Sequence, residues 1–251
     1  MKPKLLDLFC CEGGASTGYS RAGFDVYGVD LFKHKNDKGK AVGFSQKRYP
    51  FPSYRGDAIA VMDRLLNGER ILFRHSLERL GLADFAAWTG SPPCQAYSIT
   101  KYTHSNVHAE LIDPTREAMV ASGLPYVIEN VVGAPLIDPL MLCGSMFDLT
   151  TIDTDGTPLR LERHRLFESN LPLVAPKADF HDKTIDVAGA YGGGSSDRRH
   201  AKEVRRGGYT PAKEVRAALL GIDWMTMGGM SQSVPPAYTK WLGAQLIGRI
   251  S

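Results

Sequence analysis

What the sequence has little of narrows it first. No stretch approaches about eighteen uninterrupted apolar residues, so no membrane-spanning helix is expected. The opening MKPKLLDLF has no long apolar core followed by a small-residue cleavage site, and the expectation is a soluble, unprocessed chain. Cysteine is scarce, four in 251 residues, with Cys10 and Cys11 adjacent. That makes neither a disulfide framework nor a C-x-x-C pattern, and points to reduced thiols in a cytosolic compartment. Seven histidines show no H-E-x-x-H spacing, so no metal is expected. Charge of one sign is lacking too: the net of +3 is compatible with nucleic acid without requiring it. No repeat or low-complexity block appears, and the 43% hydrophobic content suits one α/β domain with or without a small appendage.

What is present begins with an apolar strand pattern, Lys4 to Phe9, that runs into the glycine cluster C-C-E-G-G-A-S-T-G at 10–18. Gly13 and Gly14 permit positive φ and close backbone approach, and a helix through Arg21 aims its first N–H groups at the turn. Such a unit either cradles a nucleotide-like cofactor or is a plain βα connection. A second strand, Phe24 to Val29, ends in Asp30, roughly twenty residues beyond the turn, where Rossmann-like sheets place an acid on ribose hydroxyls. A lysine-dotted insertion, Lys33 to Arg48, reads as a surface loop. Asp57 precedes a helix over Ala58 to Leu66 and either contacts a cofactor base or caps that helix. Ile71 to Leu82 reads as another amphipathic helix, with Leu72, Leu77 and Leu80 as its core face.

The stretch richest in chemistry is GSPPCQAYS, Gly90 to Ser98. An apolar run, Phe85 to Thr89, leads into it, and Gly90, Pro92 and Pro93 stop regular structure, so Cys94 is expected on a rigid loop at a strand's end. Residues 99–112 are polar and irregular, a candidate lid beside a nucleophile, before a helix that starts at Pro114. Within Leu124 to Val132, a carboxylate directly after Tyr126, Val127 and Ile128 must be paired, exposed at the strand's end or used, which singles out Glu129, with Asn130 beside it. Pro135 to Phe147 reads as core, with Cys143 inert. Arg163 and Arg165 fall on one face by alternation; they either hold one anionic or carbonyl-bearing ligand or guard an edge strand. Arg198, Arg199, His200, Lys202, Arg205 and Arg206 form the best nucleic-acid patch in the chain. Thr210 and Pro211 are the expected cap and first residue of a helix ending near Gly221, and a last helix follows Ser233 to Pro236.

Taken in order, these stretches resemble the C5-cytosine DNA methyltransferase family over nearly the whole chain. DLFCCEGGASTG at 7–18 is similar to its first cofactor motif, GSPPCQAYS to its nucleophile loop, and IENV at 128–131 to its glutamate motif. RHRLFE at 163–168 is similar to its arginine motif, YTPAKEVRAALLG at 209–221 to its penultimate motif, and SQSVPPAYTKWLGAQL at 231–246 to its last. Three departures stand out: Cys11 for a usual glycine, Leu161 for a usual glutamine, and Ser231 with Gln232 for a usual Gly-Asn.

The resemblance implies an α/β fold: a doubly wound, mostly parallel Rossmann-like sheet using S-adenosylmethionine over 1–169, a reduced target-recognition segment at 170–208, and C-terminal helices at 209–251 returning to the catalytic domain. It implies that Cys94 adds to C6 of a cytosine flipped from the duplex, that Glu129 holds N3 and the exocyclic amine, and that Arg165 reaches O2 with Arg163 nearby. The cofactor would lie against Phe9, Cys11, Gly13, Gly14 and Pro93, with Asp30 on its ribose, Asp57 on its adenine, and Gln232, Ser233 and Val234 at its methionine end. Gln95, Ser98 and Asn130 would line the substrate site, and Arg198, Arg199, Arg205 and Arg206 would contact phosphates. The implied partner is double-stranded DNA in the cytoplasm of a prokaryotic or phage-infected cell, met by a monomer. RNA or a free pyrimidine nucleotide as substrate, and a non-catalytic DNA-binding role, are the alternatives.

Overall fold

The structure, a computed structural model, describes residues 1–35, 41–94, 110–189 and 209–250. In chain order its strands begin with β1 (Lys4–Leu8), β2 (Asp25–Asp30), β3 (His34–Lys35), β4 (Ala41–Val42), β5 (Ser53–Arg55), β6 (Ile71–Leu72) and β7 (Arg79–Leu80). They continue with β8 (Ala87–Gly90), β9 (Tyr126–Asn130), β10 (Leu140–Leu142), β11 (Thr150–Ile152), β12 (Pro158–Leu161), β13 (Arg165–Ser169) and β14 (Asp186–Ala188). The described helices are α1 (Gly14–Ala22), α2 (Ala58–Leu66), α3 (Ile112–Ser122), α4 (Lys213–Leu220), α5 (Met227–Gln232) and α6 (Pro236–Ile250). None of them is long and apolar enough to cross a membrane.

Seven strands form the main sheet in the order β10-β13-β9-β8-β1-β2-β5. Neighbours from β9 through β5 are parallel, and β13 runs antiparallel to both β9 and β10. The strands are short apolar runs because both faces are covered, and the period of two sorts their side chains. Leu6 and Leu8 of β1 join Val29, Met62, Leu65, Trp88 and Met119 on one face, whereas Leu5 joins Tyr19, Val26, Val127, Tyr238 and Leu242 on the other. This is the doubly wound, mostly parallel sheet expected. The chain moves outward from β1 through β2 to β5, then returns to β8 on the opposite side of β1, so the crevice at the order's reversal opens over the carboxyl ends of β1 and β8.

A smaller sheet, β11-β12-β14, packs Leu159, Leu161 and Ala188 against Val215, Leu219, Met225 and Met230. The C-terminal helices thus divide their service. α4 and α5 cover the small sheet, and α6 buries Tyr238, Leu242 and Leu246 against α1 and the main sheet. Close approach there requires Gly243, where a Cβ would come within 2.8 Å of that of Ala22. Tyr209 bridges to Ala188, and Gly189 N–H donates to Tyr209 O at 2.5 Å, so the chain on either side of 190–208 is pinned together.

Several sequence expectations need correction. Residues 71–80 form the hairpin β6–β7, and Leu82 begins a short 3-10 turn, in place of the expected helix: Ile71 and Phe73 are buried, while Leu72 and Leu77 are 47% and 92% exposed. The buried residues alternate, and His75 and Leu77 take positive φ in the turn, which no helix allows. α3 starts at Ile112, two residues before Pro114. α4 starts at Lys213 after Ala212, with no side-chain cap, so Thr210 and Pro211 precede it. β13 is an interior strand, which removes the reading of Arg163 and Arg165 as edge protection.

One buried group of the sheet carries a pH signature. Asp7 of β1 is 1% exposed and accepts the Ser16 hydroxyl, whose oxygen lies 2.8 Å from Tyr49 Oη. Burial pushes its carboxyl up to about 7, against the lowering effect of Ser16 and with a further upward push from Asp30. A raised carboxyl favours the folded state fully below the ordinary carboxyl range, and that contribution is lost as pH rises through about 7. Asp7→Asn keeps the shape and removes the ionisation. Its stability relative to the parent should therefore improve by about 2–4 kcal/mol between pH 4 and pH 8, read by urea unfolding at both values.

Candidate active site

The sequence-singled residues gather at the carboxyl ends of β1, β2, β8 and β9, beside the start of β13. β8 ends at Gly90, and the next residues are held from both sides: Ser91 N–H donates to Leu8 O at 3.2 Å, and Asn130 Nδ2 donates to Pro92 O at 3.0 Å. Pro92 is buried and Pro93 exposed, so Cys94 leaves the sheet from a braced backbone, as expected. Gln95 and Ser98, residues 99–109 of the candidate lid at 99–112, and the basic residues Arg198, Arg199, His200, Lys202, Arg205 and Arg206 lie outside the described residues.

Next to that loop, Glu129 and Arg165 form a buried ion pair, Nε to Oε1 at 2.9 Å, their side chains 10% and 9% exposed. Sheet register brings them together: antiparallel pairing sets Leu166 against Asn130 and Phe167 against Glu129, so β13 begins where β9 ends. Arg165 Nη1 also donates to His164 O at 2.8 Å, which fixes the guanidinium plane. Burial holds the Glu129 carboxyl above its usual range, although Arg165, a Ser91 hydrogen bond and Arg163 pull it down. The Cys94 thiol is pushed up by burial and by the Glu129 charge, and pulled down by Arg165 and Arg163. A thiol, a carboxylate and a guanidinium thus share one electrostatic neighbourhood.

Arg163 does a different job from Arg165. It precedes β13, is fully buried, and donates from Nη2 to Ser231 O at 2.8 Å, while Tyr238 Oη donates to Arg163 O at 2.7 Å. It ties the last motif to the start of β13.

On the other side of the crevice, the β1–α1 turn is built from left-handed residues, Phe9 at φ 60°, Cys11 at φ 49° and Gly13 at φ 93°. Asp30 stabilises it: Cys11 N–H donates to Oδ2 at 2.9 Å and Phe32 N–H to Oδ1 at 3.0 Å. Gly13 caps α1 without a side-chain hydrogen bond, which leaves the first-turn amides facing the crevice. Gly14 must be glycine because a Cβ would come within 2.8 Å of Val234 O. Ser233 and Val234 are accordingly buried on this turn, whereas Gln232 is exposed. Asp57 caps α2, accepting from Ala60 N–H at 2.9 Å.

One residue escaped sequence reasoning. Glu12 is 1% exposed inside the glycine turn, and its carboxylate accepts from Thr226 N–H at 2.8 Å and from Thr226 Oγ1 at 3.1 Å. It sits at the N-terminus of α5, whose dipole favours an anion, and holds the helix that leads into the last motif onto the glycine turn. An acid within a glycine turn, together with the T-x-x-G of Thr226 and Gly229, was the available signal. A cavity of about 560 Å³ lies elsewhere, lined by Arg21, Lys213, Glu214, Asp223 and Trp224 among others, and none of the residues that the sequence singles out lines it.

No protein-family model and no curated protein matches the sequence. Solved structures do. A candidate DNA modification methyltransferase encoded within an E. coli prophage superposes with a TM-score of 0.53 at 13% identity, covering 98% of this chain and 99% of that one. An S. pombe Dnmt2 methyltransferase superposes with a TM-score of 0.50 at 10% identity, covering 100% of both chains. The chain has a Rossmann-like methyltransferase fold.

The shared neighbourhood of Cys94 and Glu129 has a measurable consequence. Glu129→Gln removes the negative charge that raises the thiol, so iodoacetamide should label Cys94 roughly threefold to tenfold faster at pH 7.5, and Arg165→Met should slow it. Peptide mapping by mass spectrometry reads both rates.

Proposed function

We propose that the chain methylates C5 of cytosine in duplex DNA with S-adenosylmethionine, as the C5-cytosine methyltransferase motifs imply. The observation that carries the reading is the buried Glu129–Arg165 pair at the strand ends beside the Cys94 loop. An apolar-lined carboxylate set against a guanidinium is suited to a neutral ring that bears both a ring nitrogen with an exocyclic amine and a carbonyl. Glu129 would take N3 and the amine, and Arg165 the O2 carbonyl. Asn130, committed to Pro92 O, would hold the nucleophile loop in register with that pocket.

The protein's steps follow from these charges. Loss of the Cys94 proton and addition of sulfur to C6 push electron density into the ring, where Arg165 at O2 and a proton shared with Glu129 at N3 stabilise it. C5 would then take the methyl group that the donor supplies and give its proton to solvent, and as the C5–H electron pair restores the ring double bond the C6–S bond would break to return the thiolate. Arg163 supports Arg165 from behind, through Ser231 and Tyr238.

The turn and its surroundings fit the cofactor. Asp30 has lone pairs beyond the two it gives to backbone N–H groups, the α1 amides are open, and the left-handed backbone at Phe9, Cys11 and Gly13 leaves a concave face. Bound there, S-adenosylmethionine supplies an electrophilic methyl group. Phe9, Cys11, Gly13, Gly14 and Pro93 would line its site, with Asp30 on the ribose, Asp57 toward the adenine, and Ser233, Val234 and Gln232 at the methionine end. We assign residues 170–208 to target recognition, with Arg198, Arg199, Arg205 and Arg206 on phosphates; so short a segment suits a short or relaxed target sequence.

Expression in a host lacking 5-methylcytosine should add that base to its DNA, measured after digestion to nucleosides. Cys94→Ala should reduce it to background, and Arg165→Ala should cut the rate by roughly a hundredfold. Duplex DNA carrying 5-fluorocytosine should trap a covalent complex. Methylation of RNA with DNA unchanged would replace this substrate, and absence of trapping would remove the covalent route.

A further inference from the structure

Cys143, expected to be inert core, stands beside His164, Asp179 and His181, and one ligand atom from each lies within 4.8 Å of all the others. The fold assembles this group from three segments. Antiparallel pairing of Leu142 with Arg165 places Cys143, just past β10, next to His164, just before β13. Asp179 and His181 alternate on the segment that follows β13, with Phe180 between them turned outward at 75% exposure. Cys143 Sγ lies 3.3 Å from His181 Nε2, His164 Nε2 lies 2.9 Å from Asp179 Oδ2, and His181 Nε2 lies 3.0 Å from Asp179 Oδ1.

The surroundings are those of a ligand shell. His181 Nδ1 faces Glu162 Oε1 at 3.6 Å, so with Asp179 bound to a metal a proton on Nδ1 would leave the Nε2 lone pair for the same ion. Ser145 Oγ donates to Asp179, and Arg160 Nε donates to Glu162 at 2.8 Å. Two imidazoles, a carboxylate and a thiol converging on one point can share hydrogen bonds, or give up their protons and hold a metal cation. The donor set of one sulfur, two nitrogens and one oxygen is that of zinc. Tetrahedral bonds of about 2.0–2.3 Å separate ligand atoms by about 3.3–3.8 Å, which small side-chain shifts supply here.

We propose that Cys143, His164, Asp179 and His181 bind one zinc ion in a closed, structural site. Its role is positional. His164 stands between Arg163 and Arg165, so the ion would anchor the arginine motif to the turn after β10 and to the irregular segment 170–185. Four protein ligands leave no open position for a reacting water. The sequence expectation of no metal rested on local spacing, and these ligands are contributed by distant segments.

Untagged protein purified without chelator should carry about one zinc per chain by elemental mass spectrometry. Cys143→Ser and His181→Ala should each cut this at least about fivefold, and Cys94→Ala should leave it unchanged. Cobalt in place of zinc should give the visible absorption of a tetrahedral ion with a near-ultraviolet thiolate band. Should the two ligand variants fail to fold, alkylation of the parent protein decides: zinc should shield Cys143, and a chelator should expose it, without affecting Cys94. Protein that takes up neither zinc nor cobalt, full zinc in both ligand variants, or a Cys143 equally reactive with and without chelator would each overturn the site and leave a hydrogen-bonded His–Asp–His network. All these readouts are independent of methylation.

Discussion

A carboxylate buried at the end of a parallel strand must have a partner, and Glu129 finds it in Arg165. Much of the sheet serves that pairing. β13 has to lie beside β9 and run against it, so that the first residue of one strand meets the last residues of the other. The cost of desolvating both charges is offset only while both remain together, which makes the pair fragile to single substitution and well suited to a ligand that offers matching polar groups. Cys94 enters the same field because Asn130 and Ser91 hold its loop to β9 and β1.

The far ends of the chain meet over the crevice through contacts of a different kind. Glu12 receives the Thr226 N–H and hydroxyl, Gly14 makes room for Ser233 and Val234, and Arg163 holds Ser231. First and last motifs thus form one unit. Two of the departures from the motifs that the sequence resembles lie inside it. Cys11 occupies a left-handed position usually given to glycine, at some strain, and the Asp30 carboxylate takes its N–H. Ser231 contributes mainly its carbonyl, to Arg163, and its hydroxyl accepts from Arg216 at 3.2 Å. Neither departure touches Cys94.

Elements were legible where a local rule dominates. The β1–glycine turn–α1 unit, the strand ending in Asp30, the Asp57 cap and the proline-stopped loop before Cys94 all follow from short-range sterics and hydrogen bonding. The hairpin at 71–80 hides in the sequence because its leucines imitate helical spacing, while the alternation of Ile71 and Phe73 that marks it spans too few residues to stand out. Arg163 and Arg165 looked alike in sequence, yet one lies wholly buried behind the site and the other faces it. Only the end of the strand at Arg165 separates them.

The sequence by itself determined the plan of the main sheet and singled out the polar groups that line its crevice, because apolar periodicity, turn glycines and a carboxylate in an apolar run are local properties. Tertiary structure decided which of those groups meet. Strand register set Glu129 on Arg165, burial against α6 removed Arg163 from the crevice, and the β10–β13 pairing set Cys143 next to His164. The physical reason is common to all three: contact between residues far apart in the chain depends on sheet order and on what covers each face, and neither is written in the spacing of any single motif.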